Sequence, residues 1–166
     1  MIGNAIINSL LVLFIGIGSL QNNSTNSSIE GVWKITEVQT VKPDGQISSI
    51  KPLESQVLFT KGYYSFCWTS HKSFTKTWQI ADTERVARFN QTLINAGTYT
   101  ISDSLLITYA EFAMSPKFVG GSATFRYKMS GDSLFLIGRN VLSADGMLHP
   151  IYTSGAHIVN KLVRIK

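Results

Sequence analysis

A carboxylate two residues from a phenol is the pairing in this chain best suited to moving a proton. Tyr109 and Glu111 stand on one register of a strand-like run, behind Leu105 and Ile107. Turned inward, one would donate and the other accept a proton. Arg126, between Phe125 and Tyr127 in a neighbouring strand-like run, could pair bidentately with an inward Glu111 and keep its charge from being buried alone. Such a pair would hold a ligand's head group. The competing reading leaves both side chains in solvent or at a rim, with no functional role. His149, just before Pro150 near an expected rim, is the third acid–base candidate.

Other chemistry is thinly represented. The three histidines, His71, His149 and His157, share no metal-ligand spacing, and neither His-x-His nor His-Glu-x-x-His occurs. No metal and no cofactor are therefore expected. The single Cys67 cannot form an internal disulfide. Between Phe66 and Trp68 it reads as a buried, inert thiol.

Those groups need a scaffold, and the clearest part of it runs from Gly97 to Gly138. GTYTI leads through Ser-Asp-Ser into LLITY; TFRYKM leads through Ser-Gly-Asp-Ser into LFLIG. Two such arches are the signature of an antiparallel meander. Apolar residues occupy both registers at the strand centres, so an open sheet would leave apolar surface wet and the meander must close or pack. The expected fold is all-β: an antiparallel up-and-down barrel of eight to ten strands. Upstream, GVWKITEVQTV reads as a first strand and LFTKGYYSF as a hairpin, while Pro43-Asp44-Gly45 marks a turn. Pro150 to Ser154 reads as extended, and Ala156 to Ile165 as a closing strand beside the first.

One segment changes period. Val86, Phe89, Leu93 and Ala96 recur at three and four, which predicts one short amphipathic helix over residues 82–95. Asp82 or Thr83 would cap it and Gly97 would stop it. Its stripe is expected to pack on the barrel, leaving Arg85 and Arg88 wet.

Tyr64, Phe66 and Trp68 alternate on one face of the hairpin's second strand. Aromatics turned into a barrel either fill it or line a pocket for flat or oily ligands, and eight strands enclose room for either outcome. The pocket reading expects a few hundred Å³ lined by Tyr64, Phe66, Trp68, Tyr109 and Tyr127. Glu111 and Arg126 would stand at its polar edge.

Several stretches resemble the bacterial lipocalin-like domain family of the calycin group. Gly31-Val32-Trp33 is similar to the Gly-x-Trp signature. GYYSF at 62–66, GTYTI at 97–101, Glu111 followed by Pro116-Lys117-Phe118-Val119-Gly120, GDSLFL at 131–136 and KLVRI at 161–165 follow in the family's order. The resemblance implies an eight-stranded barrel, often exported, able to hold an apolar small molecule. It also implies that Trp33 plugs the closed end beneath a basic side chain from the last strand, Arg164 or else Lys161. The helix before the middle strands departs from the classical lipocalins, whose main helix follows the eighth strand.

Size and charge bound the rest. The 166 residues suffice for one domain with a core. Fifteen basic against ten acidic residues, net +5, are spaced singly, so the surface lacks the concentrated tract of a nucleic-acid binder. Ile6 to Gly18 is nearly all apolar and no charged side chain precedes Glu30. Residues 1–19 therefore read as an export signal, with an uncleaved membrane anchor as the alternative. The Asn- and Ser-rich stretch 20–28 reads as a linker and 29–166 as the domain. The expected protein is periplasmic or secreted, a monomer or weak homodimer. It would bind a hydrophobic or amphipathic small molecule without chemistry. An isomerase or cyclase using Glu111 and Tyr109, and a filled structural barrel, are the alternatives.

Overall fold

The computed structural model describes residues 28–72 and 77–166. The leader at 1–19 and nearly all of the linker lie outside them. Among the described residues nine strands are present: β1 (Gly31–Val41), β2 (Ile47–Ile50), β3 (Glu54–Thr60), β4 (Tyr63–Thr69), β5 (Thr92–Ser102), β6 (Leu105–Ala113), β7 (Ser122–Ser130), β8 (Ser133–Leu142) and β9 (His157–Arg164). From β3 to β9 each strand pairs antiparallel with the next, and β9 returns to β1 with Trp33 opposite Arg164 and Val41 opposite His157. The first half of β1 pairs with β3 and the second half with β2. The result is an eight-stranded up-and-down barrel with β2 as a short, fully exposed flap on β1.

The tight turns do what their residues dictate. Between β3 and β4, Lys61 and Gly62 both have positive φ, 45° and 82°, as the twist-matching two-residue hairpin turn requires. Inward and outward residues then alternate, giving buried Tyr64 and Phe66 in β4 and buried Leu134 and Leu136 in β8. Irregular pairings reset that alternation. One falls between Ile35 and Glu37, so β1 turns Trp33, Ile35 and then Val38 inward. Trp33, Ile35, Val57, Phe59, Leu134 and Leu162 pack one half of the barrel solid.

Helix α1 (Asp82–Asn90) is present but shorter than its periodicity implies. Its N-cap is Ala81, without a side-chain cap, and it ends at Asn90 rather than near Gly97. Leu93 belongs to β5, because Thr92 to Thr98 must pair with Tyr63 to Thr69 of β4. The ladder's hydrogen bonds there outweigh a helical repeat that ran on by coincidence. Deprived of Leu93, the stripe does not dock: Val86 is 60% and Phe89 49% exposed. Phe89→Ala should accordingly cost less than about 1 kcal/mol in a denaturant melt, against the roughly 3–5 kcal/mol of a buried ring. The larger loss would place Phe89 in the core. Pro150 to Ser154 is also not extended. Pro150–Thr153 forms a single helical turn, α2, with Pro150 at its first position and the His149 ring nitrogen Nδ1 accepting from the Ile151 amide at 3.3 Å.

Candidate functional site: a cavity in the upper barrel

Above the packed half the barrel is hollow, with a partly open cavity of about 250 Å³. Strand β4 is bonded along its length to β3 and β5, so its backbone is satisfied and its inward side chains stand in fixed order. Tyr64, Phe66 and Trp68 all line the cavity, as their alternation predicts. Leu106, Thr108 and Ala110 continue the same wall from β6, across β5, while Val38, Leu136 and Asn160 close another side. Val38 and Leu136 flank Asn160 directly across the β1–β9 and β8–β9 pairings.

Three rings stand at the upper end. A 3-10 turn at Pro116–Phe118 delivers Phe118, whose ring stacks on His149 at 5.9 Å with an interplanar angle of 9°. Tyr152 of α2 meets His149 edge-on at 6.4 Å. Lys117 ties the two loops together through Asp145 at 2.7 Å, an exposed pair and therefore a weak clasp. Beyond the rings lies an outer depression of about 360 Å³ that shares Phe118, Val141 and His149 with the interior cavity. Phe118 and His149 thus stand between the interior cavity and this depression.

Electrostatically the cavity is neutral. Among the described residues no Asp, Glu, Lys or Arg lines it. Burial pushes the Tyr64 phenol up to about 12, and also raises that of Tyr152. The Tyr152 hydroxyl sits against Gly138, where any Cβ would collide with it. It approaches the Ile158 carbonyl, which opposes that rise, without reaching hydrogen-bond geometry. Burial lowers the His149 pKa below its usual 6.5, and its Nδ1 acceptor role places the neutral ring's proton on Nε2.

A depressed histidine makes stability depend on pH with a definite sign. Below about 6.5 the unfolded chain binds the proton more readily than the folded one. The contribution of neutral His149 is therefore complete above about 6.5 and is lost as pH falls toward the folded value. The drop in Tm between pH 7.5 and 5.5 should be smaller in His149→Gln than in the wild type. Equal drops would mean that His149 is not held neutral.

The remaining predicted site residues fall elsewhere. Tyr109 and Glu111 are exposed on the outer face of β6, because Leu106, Thr108 and Ala110 took the inward register. LLITYAEFA is apolar on both registers at its start, and packing chose the one that leaves the Glu111 charge in water. Arg126 is exposed and lies opposite Leu105. That is six residues, or about 20 Å, along β6 from Glu111, so the two cannot form a head-group anchor. Tyr127 turns inward but joins the packed cluster, its hydroxyl donating to the Asp103 carbonyl at 3.2 Å. It does not line the cavity.

At the opposite end the expected plug is in place. Trp33 is fully buried, its Nε1–H donating to the Ile29 carbonyl at 2.8 Å. The Arg164 guanidinium carbon stands 4.2 Å from the indole centroid. Its nitrogens donate to the Glu30 and Ser28 carbonyls at 2.6 and 2.7 Å. Gly31 makes room, since a Cβ there would come within 2.5 Å of that guanidinium. Lys161, the alternative, instead pairs with Glu37 at 2.8 Å.

Sequence reasoning missed Asn160, Thr108, Phe118 and Tyr152. Asn160 had a signal: Ile158, Asn160 and Leu162 share a register of the closing strand, and an amide among aliphatics on an inward face asks for an explanation. Phe118 and Tyr152 had none, because they arrive on loops. Among the described residues, no group of His, Cys, Asp and Glu is placed to hold a metal ion.

The profile of the lipocalin-like domain family matches residues 30–146. No curated protein is detectably similar in sequence. Among solved structures, the crystal structure of an uncharacterized protein from Bacteroides eggerthii DSM 20697 is similar at 13% identity, over 82% of this chain and 98% of that one, with a TM-score of 0.42.

Proposed function

The chain belongs to the lipocalin-like domain family, and we propose that it is a non-enzymatic binding protein holding an apolar small molecule in the upper barrel. The observation that carries this reading is the cavity of about 250 Å³, walled by aromatic and aliphatic side chains without a formal charge. It lies near the lower end for small-molecule sites, which suits a compact ligand. Each methylene taken from water contributes roughly 0.8 kcal/mol, so about ten of them supply the gross energy of micromolar binding. The isomerase or cyclase alternative loses its proposed acid and its phenol, since Glu111 and Tyr109 face outward. Simple burial needs neither.

The reading includes export. The apolar run from Ile6 to Gly18 supports a leader removed near residue 19. The intact mass of protein purified from its own host measures this, full-length mass indicating an anchor instead. Binding is tested on the same material by native mass spectrometry followed by solvent extraction, and by titration with a hydrophobic fluorescent probe. A reproducible co-purifying small molecule or saturable probe uptake is expected. Protein that carries nothing and takes up no probe would leave a barrel with a purely structural role.

A further inference from the structure

We infer that the cavity selects a neutral ligand bearing a hydrogen-bonding oxygen or amide head, excludes the carboxylate of the same chain length, and uses Asn160 as the anchor. This rests on the binding reading above and names the ligand class. Asn160 is 5% exposed, lines the cavity, and its side-chain amide has no hydrogen-bond partner among the described residues. Its neighbours on the two flanking strands are Val38 and Leu136, which offer none. Its amide atoms are not sealed into the wall but open onto the cavity space, where a ligand group can take the place of water as their partner. An amide carries two donor hydrogens and an acceptor oxygen, so it pairs equally with a ketone, an alcohol or another amide.

The charge state of the surroundings excludes the anion. No Lys or Arg lines the cavity among the described residues. His149, the one lining side chain able to become cationic near neutral pH, is kept neutral by burial. Tyr64 stays protonated. A carboxylate entering this space would give up its hydration without meeting a countercharge, whereas a neutral head gives up little and gains the Asn160 bonds. Thr108 is less available, since its hydroxyl already leans on the Ala123 carbonyl at 3.4 Å.

The test is an affinity series of eight-carbon chains at pH 8: octane, 2-octanone, 1-octanol and octanoate, each displacing a fluorescent probe from the wild type and from Asn160→Leu. In the wild type 2-octanone and 1-octanol should bind at least tenfold more tightly than octanoate. In Asn160→Leu, similar in size and without the amide, their advantage over octane should shrink at least tenfold while octane binding is kept. The wild-type series stands even if the variant does not fold. Octanoate binding as tightly as 2-octanone, or a ketone advantage unchanged in a folded Asn160→Leu, would overturn the inference and leave the binding reading intact. Failure of all four ligands and the probe would overturn the binding reading, and the inference with it.

Discussion

Trp33→Ala is expected to destabilise the barrel by about 3–5 kcal/mol, the range for truncating a fully buried large aromatic. Most of that is packing: Trp33 is 0% exposed and belongs to the core cluster that fills the lower barrel. The remainder comes from what the indole organises. It faces Arg164 at 4.2 Å, a contact worth roughly 0.5–2 kcal/mol, and Arg164 in turn holds the carbonyls of Ser28 and Glu30. Removing the ring frees the guanidinium and loosens the segment entering β1. For a domain whose whole stability is typically about 5–15 kcal/mol, such a loss shifts a urea midpoint far outside error. A loss under about 1 kcal/mol would show that the lower end is sealed by other contacts and that the indole is incidental.

Ala110→Trp is expected to reduce binding of apolar probes more than tenfold while leaving the melting temperature close to wild type. Ala110 is inward on β6 and lines the cavity one strand away from the β4 aromatics, in the same row as Tyr64 across Gly97, so an indole there would occupy the space proposed for ligand. In a filled core the same change would force neighbours off their rotamers at about 1–3 kcal/mol. In a hollow one the new ring gains contacts instead. Thermal melts and probe titrations of one variant therefore separate a hollow barrel from a packed one. A strongly destabilised variant, alongside a wild type that takes up no probe, would mean that the upper barrel has no usable space.

The closed end was legible through the lipocalin resemblance. Gly31-Val32-Trp33 and a basic residue in KLVRI announce the plug, and closure by β9 on β1 then needs only antiparallel pairing of the first and last strands. The β4 aromatics were legible because Tyr64, Phe66 and Trp68 carry the large apolar surface of their strand on one register. On β6 the same reasoning failed. Leu105 and Ile107 pull toward one face, Leu106 and Ala110 toward the other, and a one-residue shift exchanges them all. The helix failed at its end for a related reason, since Leu93 satisfies a helical repeat and a strand position alike.

Fold class, the strand-turn rhythm and the aromatic wall follow from the chain's own pattern, because period-2 alternation, turn residues and burial of large apolar groups act over a few neighbours. The lower plug came from the resemblance of Gly31-Val32-Trp33 and KLVRI to the lipocalins. The tertiary structure alone decided that Glu111 faces water, that Phe118, His149 and Tyr152 meet across two loops, and that Asn160 stands without a partner within the cavity. Those outcomes depend on register and on how closely eight strands fill their own interior. Both are set by small differences between competing packings summed over the whole barrel, and no short stretch of residues contains that sum.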